Sequence, residues 1–333
     1  MTTIIQKKSD WQTALLNLIT DPSLLFEILE LDPSYLDQAH KATTLFPLKT
    51  THSFVARMEK SNVNDPLLLQ VLPLFAEFSK NDNFTNDPLS EMDVNPIPGL
   101  LHKYHGRVLL TLTGSCAVNC RFCFRRHFPY KENMPGTQGF KHIMNYISKD
   151  PSINEVILSG GDPLNVNDNY LKKMIGAFSE IKHLKRVRIH SRLPIVLPER
   201  ITQELMTVLT STRLKTIMVL HCNHPNEIDE QVQKAVSRLY NTGIPILNQT
   251  VLLKKINDNA ETLCALSEKL FDSNITPYYL HLPDKVAGTI HFYVSKEFAK
   301  QIYREMIQTL PGYMVPKLVE EIPGIKSKQI IDI

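Results

Sequence analysis

The sequence has no long apolar segment. Its 333 residues contain no uninterrupted apolar run of about 18 residues, the length that a membrane-spanning helix requires. The chain begins MTTIIQKKSDW, with two lysines and an aspartate where a signal peptide needs apolar residues. We therefore expect a protein with no membrane partner, and we place it in the cytoplasm.

An excess of charge of one sign is also missing. Lysine and arginine number 37 against 34 aspartates and glutamates, so the formal net charge is +3 at pH 7. This balance excludes a protein built to coat nucleic acid. With 43% hydrophobic residues the chain can bury a core, and its length suits one large domain or two modest ones.

Cysteine is scarce, and its distribution is uneven. The chain has five cysteines, an odd number, and three of them fall within eight positions. A disulfide framework is typical of short secreted chains with an even number of cysteines. The crowding instead predicts a reducing compartment and a metal site.

Six short β-rich runs recur through the middle of the sequence. They centre near Leu110, Ile157, Arg188, Met218, Leu247 and Tyr279. After a first interval of 47 residues, the intervals are 31, 30, 29 and 32 residues, and about 30 residues are what a strand, a helix and two loops occupy. The spacing predicts an α/β fold of six βα units on a parallel sheet, either partly closed into a barrel or open and doubly wound.

The segments before and after this region lack the regular spacing of β-rich runs. Residues 1–95 predict an N-terminal helical region, residues 96–300 the βα core, and residues 301–333 a C-terminal segment that leaves the βα pattern after about residue 310. Helix starts are predicted near Trp11, Ser23 and Pro66.

The strongest local signal is the run CAVNCRFC, which directly follows the first core strand. Its thiols, Cys116, Cys120 and Cys123, can hold three irons of a four-iron cluster and leave the fourth iron free for a small molecule. Because His127 follows four positions later, a Cys3His zinc site is the alternative. The position after a strand favours the cluster, since active sites of parallel barrels gather at strand C-terminal ends.

The run SGGDP follows the second predicted strand. Gly160 and Gly161 allow a backbone to approach a ligand closely, and the carboxylate of Asp162 can hold an ammonium group. Alone, the run is also typical of an ordinary glycine turn.

Polar side chains follow or end the remaining predicted strands at the same edge of the sheet. They are His190, Ser191, Arg192, His221, Asn223, His224, Asn248, Gln249, His281 and Asp284. Their shared register predicts the mouth of a ligand site, although His221 to His224 could also form a minor metal site. The basic residues around Arg125 are interpreted as anion recognition within this site rather than a nucleic-acid patch.

Several segments, taken in order, are similar to lysine 2,3-aminomutase, a radical S-adenosylmethionine (SAM) family. They include GSCAVNCRFCFRRHFPY, SGGDPL, HCNHPNEI, LNQTVLLK and PYYLHLPDKVAG. The FRRHFPY run resembles the bacterial branch that modifies elongation factor P. The resemblance implies a partial (β/α)6 barrel that holds SAM, a 4Fe-4S cluster and pyridoxal 5′-phosphate (PLP).

The resemblance also implies where the cofactors bind. The cluster ligands are Cys116, Cys120 and Cys123. The residues near SAM and PLP are Phe122, Gly160, Gly161, Asp162, Ser191, Arg192, His221 and Gln249. Arg107 corresponds to the PLP-phosphate arginine and Lys328 to the catalytic lysine that holds PLP as a Schiff base, although Lys326 lies only two positions away.

For the substrate, the resemblance implies that Arg125 binds the carboxylate of lysine, while Asp284 and Glu321 bind its ε-ammonium. Glu321 replaces an aspartate of the family pattern. The zinc-binding C-terminal extension of the free-lysine enzymes is missing, and Asn259 stands where they have a cysteine. The missing extension and the FRRHFPY run both favour the elongation factor P branch over lysine catabolism.

The implied reaction converts α-lysine to β-lysine, with the R product expected, through a 5′-deoxyadenosyl radical. The implied partners are an electron donor, a ligase and possibly the factor itself, and a homo-oligomer is compatible with the sequence. Three alternatives stay open at this point: a catabolic free-lysine enzyme, a glutamate-type aminomutase, and a zinc-stabilised binding module.

Overall fold

A single sheet organises the chain from residue 100 onward. The computed structural model describes residues 10–333, so the first nine residues, on which the signal-peptide argument rests, lie outside the described part. Within the described residues the sheet has nine strands, and their order in the sheet follows the chain. They are β1 (Leu100–Tyr104), β2 (Arg107–Thr113), β3 (Glu155–Gly160), β4 (Arg186–Ser191), β5 (Lys215–His221), β6 (Ile246–Val251), β7 (Thr276–His281), β8 (Lys317–Glu320) and β9 (Gln329–Ile330).

Strands β2 to β8 run parallel, and β1 and β9 pair antiparallel at the two ends of the sheet. All six predicted β-rich runs fall on strands, β2 to β7, so the α/β fold with a parallel sheet is confirmed. No pairing joins β1 to β9 among the described residues, which agrees with a partial barrel.

Helices connect the strands and form the N-terminal region. They are α1 (Asp10–Leu16), α2 (Pro22–Leu29), α3 (Leu36–Thr43), α4 (His52–Val55), α5 (Gly136–Lys149), α6 (Asp168–Ser179), α7 (Leu193–Val196), α8 (Gln203–Thr210), α9 (Glu230–Tyr240), α10 (Ala260–Asp272) and α11 (Lys296–Thr309). In α9, for example, Asp229 accepts a hydrogen bond from the amide of Val232 as N-cap, and one stripe of apolar residues is buried. None of the helices between residues 10 and 333 is long and apolar enough to cross a bilayer.

The predicted helix near Pro66 is wrong. Residues Leu68–Gln70 form only one 3-10 turn, which Asp65 opens by accepting hydrogen bonds from the amides of Leu67 and Leu68. The turn cannot lengthen, because Pro73 disfavours helical backbone in the residue before it. The predicted starts near Trp11 and Ser23 coincide with α1 and α2.

The C-terminal segment does not simply leave the sheet. The boundary predicted at residue 300 falls inside α11, which continues to Thr309, and β8 then adds a seventh parallel strand beside β7. At the other end, one continuous buried cluster includes Leu25 and Phe54 of the N-terminal region together with Val108 of β2. The N-terminal region and the sheet therefore share one core.

Candidate active site

A cavity of about 870 Å³ lies against one face of the sheet. Residues of every strand from β2 to β8 line it, and in β4 and β6 they alternate along the strand, as expected for side chains that point to the same face. The polar residues His224 and Asn248 do not line this cavity. Of the site residues that the family resemblance implies, all but Ser191 do. They are Arg107, Cys116, Cys120, Phe122, Cys123, Arg125, Gly160, Gly161, Asp162, Arg192, His221, Gln249, Asp284, Glu321 and Lys328.

The three clustered cysteines line one end of the cavity, in the loop after β2. All three are free thiols, and burial together with the neighbouring Cys120 raises the pKa of the Cys123 thiol to about 12. Such thiols are held protonated until a metal takes their sulfurs as thiolates. Three sulfurs that face one cavity, with no fourth ligand beside them in residues 10–333, form the donor set that a four-iron cluster with one open iron requires.

The zinc alternative does not form among the described residues. Residues 10–333 contain no group of three or more His, Cys, Asp or Glu side chains arranged to hold a single metal ion. His127 is exposed and its Nε2 lies 3.2 Å from the carbonyl oxygen of Ala287. In the His221 to His224 run, the thiol of Cys222 donates to the carbonyl oxygen of His224.

Gly160, the last residue of β3, and Gly161, the next residue, pack closely against the backbone that leads into the cysteine loop. Gly160 has φ of +108°, and a Cβ there would lie 2.7 Å from the carbonyl oxygen of Thr113. A Cβ on Gly161 would lie 2.5 Å from the carbonyl oxygen of Ser115. The sequence predicted close approach to a ligand, whereas the close approach in the structure is to the protein's own backbone.

The carboxylate of Asp162 is satisfied by hydrogen-bond donors of the protein itself. Its oxygens accept hydrogen bonds from the Ser191 hydroxyl at 2.7 Å and from the backbone amides of Arg192 and Leu193 at 2.8 and 3.1 Å, and Leu164 adds a fourth at 3.0 Å. Ser191 thus acts behind the cavity wall, and Asp162 fixes the end of β4. An ammonium-binding role for Asp162 stays a prediction.

Arg125 lies in the cavity wall but is paired with a residue that the sequence analysis missed. Its Nε and Nη2 donate to the two oxygens of Glu91 at 2.7 and 2.6 Å, and its Nη1 donates to the Ser159 hydroxyl at 3.2 Å. The remaining N–H groups of this guanidinium are the ones that a substrate carboxylate could use.

Neutral imidazoles line the middle of the cavity. Burial lowers the pKa of His221 to about 3, and its Nε2 lies 3.0 Å from Nε2 of Gln249. The Nε2 atoms of His190 and His281 are buried and have no hydrogen-bond partner among the described residues. Since buried polar atoms are normally hydrogen-bonded, these two donors or acceptors fit a polar ligand in the cavity.

The far end of the cavity is acidic. Glu321 accepts hydrogen bonds at 2.8 Å from both Lys103 Nζ and the Tyr104 hydroxyl, and it also pairs with Lys328. Asp284 has no side-chain hydrogen bond or ion pair with any other residue in the range 10–333. Burial and the negative charge of Glu321 raise the pKa of Asp284 to about 7.

Two basic groups near this end fit an anionic cofactor. The Arg107 guanidinium lies 4.7 Å from the ring centre of Tyr104, and within residues 10–333 it has no hydrogen bond or ion pair, so its N–H groups are available to a phosphate. Lys328 lines the cavity, whereas Lys326 is exposed and does not.

Comparisons with known proteins agree with this geometry. Residues 105–192, which include the three clustered cysteines, match the family model described as a 4Fe-4S single cluster domain. The chain is 47% identical over 327 residues to the L-lysine 2,3-aminomutase of Escherichia coli (strain K12), covering 98% of this chain and 95% of that protein.

Two further matches were found. The L-lysine 2,3-aminomutase of Clostridium subterminale is 34% identical over 318 residues, covering 95% of this chain and 76% of that protein. The crystal structure of Streptococcus suis SuiB bound to S-adenosylmethionine aligns with a TM-score of 0.49 and 14% identity, covering 66% of this chain and 51% of that chain.

Proposed function

Since this chain belongs to the lysine 2,3-aminomutase family, we propose that it makes (R)-β-lysine for the modification of elongation factor P. The enzyme is an isomerase that moves the α-amino group of lysine to the neighbouring β-carbon. The R configuration of the product, its use on elongation factor P and the roles of the site residues are the parts that we propose beyond this activity.

The observation that carries the substrate assignment is the unpaired carboxylate of Asp284. Burial and the neighbouring charge of Glu321 raise the pKa of Asp284, and they do so despite the opposing effect of Lys328. The ε-ammonium of lysine would supply a cation to this carboxylate, and Glu321, already negative, would reinforce the attraction. A glutamate side chain would instead meet two acids, which argues against a glutamate-type enzyme.

The cofactor sites follow from the residues that face the cavity. Cys116, Cys120 and Cys123 would hold the cluster, and Lys328 and Arg107 would hold the aldehyde carbon and the phosphate of PLP. When bound, the cluster and SAM supply the radical that removes a β-hydrogen, and PLP stabilises the rearranging substrate. Phe122, His221 and Gln249, with the residues around Asp162 and Arg192, would surround SAM.

The chain's own residues then bind and orient the substrate. The free N–H groups of Arg125 would take the carboxylate of lysine, and Asp284 would take its ammonium. Holding both ends of the substrate fixes the hydrogen to be removed, and the enclosing strands keep water from the reacting atoms. The side chains of the protein would need to do little acid–base work in this isomerisation.

Glu321 pairs with Lys103 as well as with Lys328. Lys328 would hold PLP, while Lys103 would stay beside Glu321 and Asp284 would be the carboxylate that takes the cation of the substrate.

The elongation factor P role is supported by the FRRHFPY run, which resembles the bacterial branch that modifies this factor. We place the enzyme in the cytoplasm, where thiols stay reduced, with an electron donor and a ligase as partners.

The test of this role is genetic. Deleting the gene in the organism that encodes the chain should remove β-lysine from elongation factor P, as seen in the intact mass of the purified factor. The purified enzyme, loaded anaerobically, should convert free L-lysine to (R)-β-lysine on a chiral column. An unchanged factor would contradict the role and favour a catabolic enzyme, and a product formed only from lysine already attached to the factor would contradict the free substrate.

A further inference from the structure

Arg192 contacts a sulfur of the cysteine cluster. Its Nη1 donates a hydrogen bond to Sγ of Cys120 at 2.8 Å. The guanidinium is buried, with the rings of Phe54 and Phe122 on its flanks at 5.2 and 5.5 Å from the ring centres. Among the described residues, no other arginine or lysine side chain donates a hydrogen bond to a sulfur of the three clustered cysteines.

The geometry of this guanidinium is fixed by groups other than the cysteine. Its Nη2 donates to Oε1 of Gln70 at 2.6 Å and to Oε2 of Glu227 at 2.9 Å. Glu227 is fully buried, and its other oxygen accepts from Gln70 and from the amide of Asn223 at 3.0 and 2.9 Å. The donor is therefore already in place before a cluster binds.

The backbone of Arg192 is fixed as well. Its amide donates to Asp162 at 2.8 Å, so the end of β4 is tied to the SGGD turn that packs on the cysteine loop. Arg192 thus joins three parts of the molecule: the strand end, the cysteine loop and, through Gln70, the N-terminal region. None of these contacts requires a substrate.

We propose that Arg192 is a positioning residue for the cluster: it donates a hydrogen bond to the ligand sulfur of Cys120 and raises the reduction potential of the cluster. A cluster on three thiolates gains one negative charge when an external reductant supplies an electron. A hydrogen bond and a fixed cation beside a ligand sulfur stabilise the more negative, reduced form. The inference rests on the cluster assignment of the proposed function.

The test is a redox titration of the reconstituted enzyme without SAM, followed by the EPR signal of the reduced cluster. Arg192→Met removes the donor and the charge while keeping an unbranched side chain. We expect the ratio of reduced to oxidised cluster at a fixed poise to fall at least tenfold, which equals a downward shift of about 59 mV for one electron. A ratio within threefold of wild type would overturn the inference.

Two comparison variants separate the hydrogen bond from general charge. Arg188→Met removes a cation that lines the same cavity but pairs with Glu155 at 2.7 Å instead of a sulfur, so the potential should stay at the wild-type value. Arg192→Lys keeps the positive charge and should shift the potential less than Arg192→Met. Equal shifts in Arg188→Met and Arg192→Met would show a general charge effect and overturn the inference.

A measurement on the wild-type enzyme covers the case in which Arg192→Met does not load iron. Enzyme grown on arginine labelled with ¹⁵N only in its guanidinium group should show a ¹⁵N coupling in the pulsed EPR spectrum of the reduced cluster, and Arg192→Lys should lack that coupling. A wild-type spectrum without this coupling would overturn the inference. If the wild-type enzyme itself gives no cluster signal, the proposed function fails. If the wild-type enzyme makes β-lysine while the cluster of Arg192→Met has the wild-type reduction potential, only this inference fails.

Discussion

Asp284 and Glu321 face the same end of the cavity with opposite electrostatic environments. Glu321 is ion-paired to Lys103 and Lys328, which hold its pKa well below the usual range despite its burial. Asp284 has no such pair among the described residues, and its pKa is raised to about 7. The site therefore contains one satisfied carboxylate and one that lacks a cation.

Replacing Asp284 by Asn should lower the turnover of lysine by roughly 100-fold or more, a few kcal/mol in transition-state terms. The reason is that a buried ammonium without a paired carboxylate is costly. β-Lysine formation is compared at matched iron and PLP content, with Asp272→Asn as the control because Asp272 is exposed at the end of α10. Turnover of Asp284→Asn within threefold of wild type would reject Asp284 as the ammonium site.

The pH dependence should report the same carboxyl group. Because the pKa of Asp284 is raised to about 7, the group is neutral below that pH and binds an ammonium weakly. We expect kcat/KM for lysine to rise with pH up to about 7 and then to level off, since this ratio reports the free enzyme. The charged groups that face Asp284 are Glu321, Lys328, Glu91 and Lys103.

The fall in kcat/KM for lysine below about pH 7 should be absent in Asp284→Asn. An ordinary ion-paired carboxylate would behave in the opposite way. Its pKa is lowered, so it would stay charged at these pH values and kcat/KM would not fall with it. A wild-type profile that is flat between pH 5.5 and about 8 would show that Asp284 does not titrate there.

Covalent attachment of PLP should distinguish Lys328 from Lys326, which lies only two positions away. Borohydride reduction of the loaded enzyme, followed by peptide mass analysis, should place PLP on Lys328, because Lys328 lines the cavity and Lys326 is exposed. Lys328→Ala should retain no covalent PLP but keep its iron, and Lys326→Ala should behave as wild type. The opposite pair of results would move the catalytic lysine to Lys326.

The buried ion network beneath the cysteine loop should matter for stability. Glu77 binds Arg121 through two contacts of 2.8 and 2.5 Å and Arg126 through one of 2.8 Å, all with buried side chains. Glu77→Gln leaves two buried cations without a carboxylate, so we expect the free energy of unfolding to fall by about 3–5 kcal/mol.

Urea unfolding followed by circular dichroism measures this loss. The control is Glu30→Gln, which breaks the exposed pair of Glu30 with Lys60 and should leave the unfolding midpoint unchanged. If both variants unfold at the same urea concentration, the buried network does not stabilise the fold.

The sequence predicted the strands well where each strand was long enough to show a pattern. The runs on β2 to β7 have six or seven residues each, and their spacing near 30 residues identified the βα units. Strands β8 and β9 have four and two residues. Runs this short carry no usable period, so the seventh parallel strand was missed.

The acidic partners of the site arginines could not be predicted from the sequence. Glu91 lies 34 positions before Arg125, and Glu227 lies 35 positions after Arg192, so no local spacing in the sequence shows either pair. Only the folded chain brings the N-terminal region onto the cysteine loop. The cysteines themselves were predictable because their spacing within eight positions is a local property of the sequence.

The most direct test of the account is a substrate comparison with the anaerobically loaded enzyme. L-lysine and L-glutamate are supplied at equal concentration with SAM, PLP and dithionite, and the β-amino acid products are quantified. The account predicts β-lysine and no β-glutamate, because Asp284 and Glu321 accept a cation and repel an anion. Formation of β-glutamate at a rate equal to or above that of β-lysine would contradict it.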